Sequence, residues 1–383
     1  MVGKIKRNMV DEMRRPRYLK ATQQELNSPR VRRPSNGAAG LRHQRGVMSL
    51  VMPSVLLMVL MAGAVAVDMG HLFVVQAELR TAADAAALSG AASLLPGNSS
   101  GPNWSAAQAA AASAVSLNTS DGVTLHDASV QAGYWNVSGS PASMQATTIT
   151  PGTYDTTAIQ VTVSRAPGLN GGPVSYFLAP LFGMNNGPAS ATSVAMVSGP
   201  GSIAPGGLFP VAIATCIYNL YWNAQTGMPK TDPSGAAYTV SFGTGSNVNG
   251  CQTGQWTSFQ TDANNVPTVR GFIANGNPTA VNIGDAIWIE PGTKTTLYSD
   301  VQSKATANGN TKGIDVILPV VNDATAHSVQ PIVAFAAFHI DKADGGSGKY
   351  IQGHFLAGYK IKTAGNGNVG PYYGAYLPPR LAH

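Results

Sequence analysis

The chain has 383 residues with a formal net charge of +6, enough length for a sizeable core and for two or three domains. Its charge is uneven: residues 1–45 hold twelve Lys and Arg against three Asp and Glu, a net +9, whereas residues 46–383 carry a net −3. The basic character therefore belongs to the tail, which excludes a uniformly basic nucleic-acid binder, and no nucleic-acid partner is expected.

Residues 1–45 contain few large apolar side chains, no sustained period and several Arg and Pro, and they read as a disordered basic tail. Residues 47–67 (VMSLVMPSVLLMVLMAGAVAV) follow, twenty-one positions without a charge. At 1.5 Å per residue such a helix crosses a hydrocarbon core of roughly 30 Å. The basic flank places the tail in the cytoplasm and the body outside, in the periplasm or beyond, with the lipid bilayer of the inner membrane as a partner. Ala64 and Ala66 offer a small-x-small triplet, but the run is longer than a usual signal peptide and a helix follows it. From Asp68 the helix is expected to continue to about residue 95. Leu72, Val75, Leu79, Ala83, Ala86 or Ala87 and Leu94 recur at three- and four-residue steps, while Glu78, Arg80 and Asp84 occupy other faces. An alanine-dominated stripe lets helices approach closely. It fits either a pilin-like stalk or a helix packed on its own head domain.

Residues 45–47 (RGV), the apolar span with Pro53, residues 66–70 (AVDMG) and residues 77–91 (AELRTAADAAALSGA) together resemble the N-terminal domain of TadG-like proteins. These are membrane-anchored components of the tight-adherence (Flp/Tad) pilus systems of bacteria. The resemblance covers roughly residues 43–95, with weaker likeness around 176–183 and 191–197. It implies a structural role in pilus assembly, exerted through contacts with other Tad pilus or pseudopilin subunits, and not an enzyme. It also implies stalk residues for those contacts: Asp68, Leu79, Ala83, Asp84, Ala87 and Leu88. Two family features differ. Val51 stands where a prepilin carries glutamate five residues after its cleaved glycine, here Gly46, and no Asp-x-Ser-x-Ser run supplies the metal loop of a von Willebrand type A domain.

Beyond a turn near residue 97, residues 104–117 (WSAAQAAAASAVSL) predict a second alanine-rich helix. The period then changes to two, predicting strands at 123–125, 129–135, 158–164 and 191–197, and the apolar stretch 173–183 (PVSYFLAPLFG) reads as a short buried helix. The Gly/Pro/Ser-rich residues 199–207 read as a linker. Residues 208–383 show short strands at 208–213, 238–242, 286–289, 315–321, 332–340 and 350–361, which suggests an all-β sandwich or small barrel. The expected fold class is thus α+β: one transmembrane and stalk helix (46–95), a small helix-on-sheet region (96–198), the linker, and a mostly antiparallel β domain (208–383).

Cys216 and Cys251 fall in the exported part, where a disulfide between them is the expectation and a pair of free thiols the alternative. No catalytic, cofactor or metal site is expected. The seven histidines lack metal-helix spacing, residues 97–101 (GNSSG) follow Pro96 where a nucleophile elbow needs a strand, and residues 345–349 (GGSGK) precede Tyr350 where a phosphate loop needs Ser or Thr. No small-molecule substrate is evident. Two alternative readings are an anchored adhesin or glycan-binding module, if Trp256, Trp288, Tyr372 and Tyr373 line one exposed face, and an anchored hydrolase with a disguised site.

Overall fold

The computed structural model describes residues 45–95, 101–243, 246–306, 312–361 and 368–382. The tail up to residue 44 and positions 97–100 of the GNSSG stretch lie outside the described residues. The chain divides into two compact units, residues 1–57 and 58–383. One helix, α1 (Arg45–Ala92), runs through the boundary, with Pro53 inside it. In the first unit its side chains at Met48, Val51, Met52, Val55, Leu56 and Leu57 are exposed. Among the described residues α1 is the one helix long and apolar enough to cross a membrane.

In the second unit α1 changes character along its length. Met58, Val59, Leu60, Val65 and Val67 stay exposed, whereas Val75, Leu79, Ala82, Ala83, Ala86, Ala87 and Ala91 are fully buried. That stripe packs on α2 (Trp104–Val115), whose start is capped by Asn103 accepting from the Ala106 N–H at 3.1 Å. Gly90 sets the crossing. A Cβ there would stand 2.9 Å from both the Ala107 carbonyl oxygen and the Ala111 Cβ, so only hydrogen fits. The layer beneath is an antiparallel sheet formed by β1 (Ala128–Asn136), β2 (Asp155–Arg165) and β3 (Ala189–Val197). Ile159, Val161, Val163, Ala195 and Val197 give it an inner face that joins the helices in one core.

The rest of the second unit is built on β4 (Val211–Ala214), β5 (Val240–Phe242), β6 (Gln255–Phe259), β7 (Ala286–Ile289), β8 (Ile314–Val321), β9 (Ser328–Asp344) and β10 (Tyr350–Phe355). The long β9 makes closure possible. Its first residues pair with β7, its middle with β8 and its end with β10. β7 pairs with β6, β6 with β4, and β4 runs parallel to β8, so β4, β6, β7, β9 and β8 form a closed five-stranded barrel, with β10 and β5 as an extension. Trp256, Phe335, Phe338 and Phe355 are buried in its cores.

An all-β region was expected here, but α3 (Thr215–Tyr221), α4 (Val266–Asn275) and α5 (Thr295–Ala305) are interleaved with the strands. All three are short. The reason α4 escapes a periodicity reading is that Pro267 in its first turn and Gly271 inside it resemble loop punctuation, although Pro is tolerated in the first turn, where its missing N–H would have no helical partner. At the start of α3, Cys216 is disulfide-bonded to Cys251, with 6.1 Å between Cα atoms.

Residues 199–207 do not run free between two bodies. Residues 199–200 pair with 369–370, residues 202–203 pair with 281–282, and Ile203 is fully buried. The last strand, β11 (Arg380–Leu381), returns to the first sheet and pairs with β3. The 173–183 stretch differs as well. It is a short hairpin, paired between residues 174–175 and 186–187, with a single 3₁₀ turn at its tip (Ala179–Phe182) that has no buried side chain. Pro180 and Gly183, the latter at φ +83°, leave room for one turn only.

Candidate functional site

Four of the six stalk residues, Asp68, Leu79, Ala83 and Ala87, are sealed inside this chain, and Asp84 and Leu88 are half-buried. The stripe meets α2 and the sheet of its own head, the second of the two readings its sequence allowed. The physical reason is economy of apolar surface: the inner face of β2 and β3 needs a cover, and the alanine stripe is the cover within reach. What α1 leaves exposed in this unit beyond residue 67 is a different face, carrying Met69, Phe73 and Val74.

Asp68 ties α1 to the 173–187 hairpin. Its carboxylate accepts the backbone N–H groups of Phe177 at 2.7 Å, Leu178 at 3.2 Å and Ala179 at 2.6 Å. One turn further, His71 Nε2 lies 3.0 Å from Asp121 Oδ1, and the His71 ring meets Phe177 with centroids 4.6 Å apart. Glu78 Oε2 accepts the Asp121 N–H at 2.7 Å, and Arg165 donates to the carbonyls of Ser120 and Gly172 at 2.9 Å each. These ties fix the hairpin and the 119–124 loop against the helix. The aspartate of the AVDMG motif was legible in sequence; its partner, a backbone stretch 109 residues away, carried no signal there.

A second feature is a cleft of about 340 Å³ between the first sheet and α3, within the range of small-molecule pockets. Tyr134, Tyr218, Trp222, Tyr372 and Tyr373 contribute rings to its lining, with Asp155, Thr157 and Asn219 among them. Tyr218 stacks on Tyr373 with centroids 3.9 Å apart and on Trp222 at 5.0 Å. Among the described residues its hydroxyl is buried without a hydrogen-bond partner, and so is the Thr157 hydroxyl. Asp155 is held in place by the side chains of Asn136 and Gln145 at 2.8 and 2.7 Å and by the Gly152 N–H at 2.7 Å. Burial pushes the Tyr372 hydroxyl up to about 12 and raises that of Tyr218 well above its ordinary value, so both stay protonated donors. Of the four aromatics that the glycan-binding alternative requires on one exposed face, only Tyr372 and Tyr373 come together. Trp256 is in the barrel core against Tyr298, and Trp288 packs on His327. Tyr218 and Trp222, on and just after a helix absent from the sequence reading, complete the cluster.

Elsewhere polar side chains pair with one another and with backbone groups. His339 and His354 face each other across β9 and β10 with centroids 5.1 Å apart, each beside an aspartate: Asp315 at 2.6 Å and Asp341 at 3.2 Å. The GGSGK stretch is the β9–β10 turn, where Asp344 accepts the Gly346 and Gly348 N–H groups. Among the described residues no group of three or more His, Cys, Asp or Glu side chains is placed to hold a metal ion.

No curated protein and no solved structure matches this chain. Two overlapping family matches run from residue 46 to residue 195: residues 46–93, most of α1, match the Flp pilus-assembly TadE/G-like family, and residues 89–195 match the Tad-like Flp pilus-assembly family. The second match takes in the end of α1, α2 and the three long strands of the first sheet, so the two modules share one packed core. The two matches support a role in pilus assembly, in which the chain would meet other pilus components. Over residues 46–195 the chain is thus similar to Tad-like Flp pilus-assembly proteins, and a helix–barrel body follows in the residues beyond.

Proposed function

We propose that the protein is a membrane-anchored structural component of a Flp/Tad pilus assembly that acts through protein–protein contacts. Residues 47–67 sit in the inner membrane, the basic tail is cytoplasmic, and the body of unit 58–383 lies outside. The observation that carries this reading is the division of labour along α1. Eleven large apolar side chains between Met48 and Val67 are exposed, whereas from Val75 a stripe of Val75, Leu79, Ala82, Ala83, Ala86, Ala87 and Ala91 is buried, so the first half needs an apolar solvent. With the alanine stripe covered by the head, contacts with neighbouring subunits fall to the outer face of α1 and the surface of the body. Protease added to intact spheroplasts tests the topology: the body should be digested and an epitope on the tail spared. A spared body with a cut tail overturns it.

The aromatic cleft favours a second reading, an anchored glycan-binding module. Ring faces stack on the C–H faces of sugars, Asp155 and Asn219 bring polar side chains to the lining, and among the described residues no Lys or Arg lines the cleft to select an anion. Titrating the protein with chitotriose or maltotriose while following tryptophan fluorescence tests it. A saturable change abolished by Trp222→Ala supports binding, and none with either sugar removes this reading.

A further inference from the structure

The tip of the 173–187 hairpin is an apolar surface that the body leaves uncovered. Phe177, Leu181, Phe182 and Met184 are 65%, 79%, 50% and 57% exposed, and the hairpin contains no charged residue. Side chains of this kind are normally buried, and four together form a patch that calls for a partner. The tether says which one. Asp68, which binds the N–H groups of Phe177, Leu178 and Ala179, is the first charged residue after the uncharged run of α1, so the tip is held at the level where the helix leaves that run.

Resting on the membrane reading above, we propose that this hairpin is a lipid-inserting lip: Phe177, Leu181, Phe182 and Met184 enter the headgroup–acyl boundary of the bilayer that α1 crosses. Two further features agree on the depth. The exposed apolar face of α1 continues past Asp68 through Met69, Phe73 and Val74, the last about 9 Å along the helix, which matches the roughly 5–10 Å to which interfacial segments sink. The polar groups that would mark the aqueous edge, Asp121 with His71 and Glu78, and Arg165, lie on the body side of the tether. Asp68 itself tolerates this level because its carboxylate is buried and satisfied by backbone donors rather than left facing lipid. The lip and the span together make two points of attachment, which would fix the rotation of the body about α1 as a single helix cannot.

The test uses the full chain in phosphatidylethanolamine–phosphatidylglycerol vesicles, with an environment-sensitive fluorophore on Leu181→Cys, on Phe182→Cys or, for the span, on Val59→Cys. The lip predicts blue-shifted emission at 181 and 182, quenching by nitroxide on the lipid chains, and protection from aqueous iodide. Quenching by lipid at 59 with iodide access at 181 and 182 overturns the lip and leaves the anchor standing. Iodide access at all three overturns both. Protection of 181 and 182 from both quenchers also overturns the lip, and assigns the patch to a protein partner.

Discussion

Asp68 shows how a residue that looks like an interruption of an apolar helix is a fastening. Three backbone N–H groups of one loop converge on its carboxylate, and each would otherwise have no partner at the start of a 3₁₀ turn. Asp68→Ala should therefore leave α1 intact but release the loop. Amide exchange at Phe177, Leu178 and Ala179 is expected to rise by orders of magnitude while Leu79 and Ala83 keep their protection; unchanged exchange at the loop would refute the tether. A second residue-scale case is Lys294, which lies 3.0 Å from the fully buried Glu290 and donates to the Asn264 carbonyl at 2.7 Å. Burial pushes the Glu290 carboxyl up from 4.5, with Lys294 pulling it back. Lys294→Met strands that charge and should cost about 3–5 kcal/mol at neutral pH, whereas the double replacement Glu290→Met, Lys294→Met should cost far less. A raised carboxyl favours folding only when protonated, so the deficit of Lys294→Met should shrink as pH falls toward 4.5 and grow as pH rises above it. Urea titrations of both variants at two pH values check the sign.

Packing of whole elements explains which parts of the fold were legible. α1 was readable because its two halves obey two different rules, an uncharged run and then a three- and four-residue stripe, and the strands 128–136, 155–165 and 189–197 because each has one solvated face. β9 was only partly readable: its continuous apolar core at 332–340 gave a strand, but nothing local says that its ends serve other neighbours and close a barrel. The hairpin at 173–187 was misplaced for a plainer reason. Apolar content was equated with burial, and a sequence does not say whether the cover is protein or lipid. The cleft was invisible because its rings come from β1, α3 and residues 372–373, brought together only by the fold. The close approach of α1 on α2 yields a sharp prediction. Gly90→Ala puts a methyl 2.9 Å from backbone and side chain of α2 and should cost about 1–3 kcal/mol; Ala85→Leu, on the exposed face of the same helix, should cost almost nothing. Equal melting temperatures for the two variants would mean that the helices do not pack as closely as this.

At the scale of unit 58–383, the chain order and the spatial order disagree in an informative way. A linker at residues 199–207 would predict a head that melts apart from the C-terminal domain. The strand pairings oppose that: β11 lies against β3, residues 369–370 lie against 199–200, and the Leu377 N–H donates to the Ser198 carbonyl at 2.9 Å. Each of these ties joins the last residues of the chain to the edge of the first sheet, so the barrel is stapled to the helix-on-sheet head by its own C-terminal segment. The arrangement also covers an edge strand that would otherwise invite pairing with another molecule, a hazard for a protein that works among pilus subunits. Loss of the staple should expose β3. Truncation after residue 368, which removes all three ties, is expected to convert a single calorimetric transition of the detergent-solubilised chain into two and to promote self-association in sizing chromatography. If the intact chain already unfolds in two resolved steps, the C-terminal pairing contributes little and the two parts behave as separate domains; if the truncated chain still melts once and stays monomeric, cohesion lies instead in the buried residues 198–203.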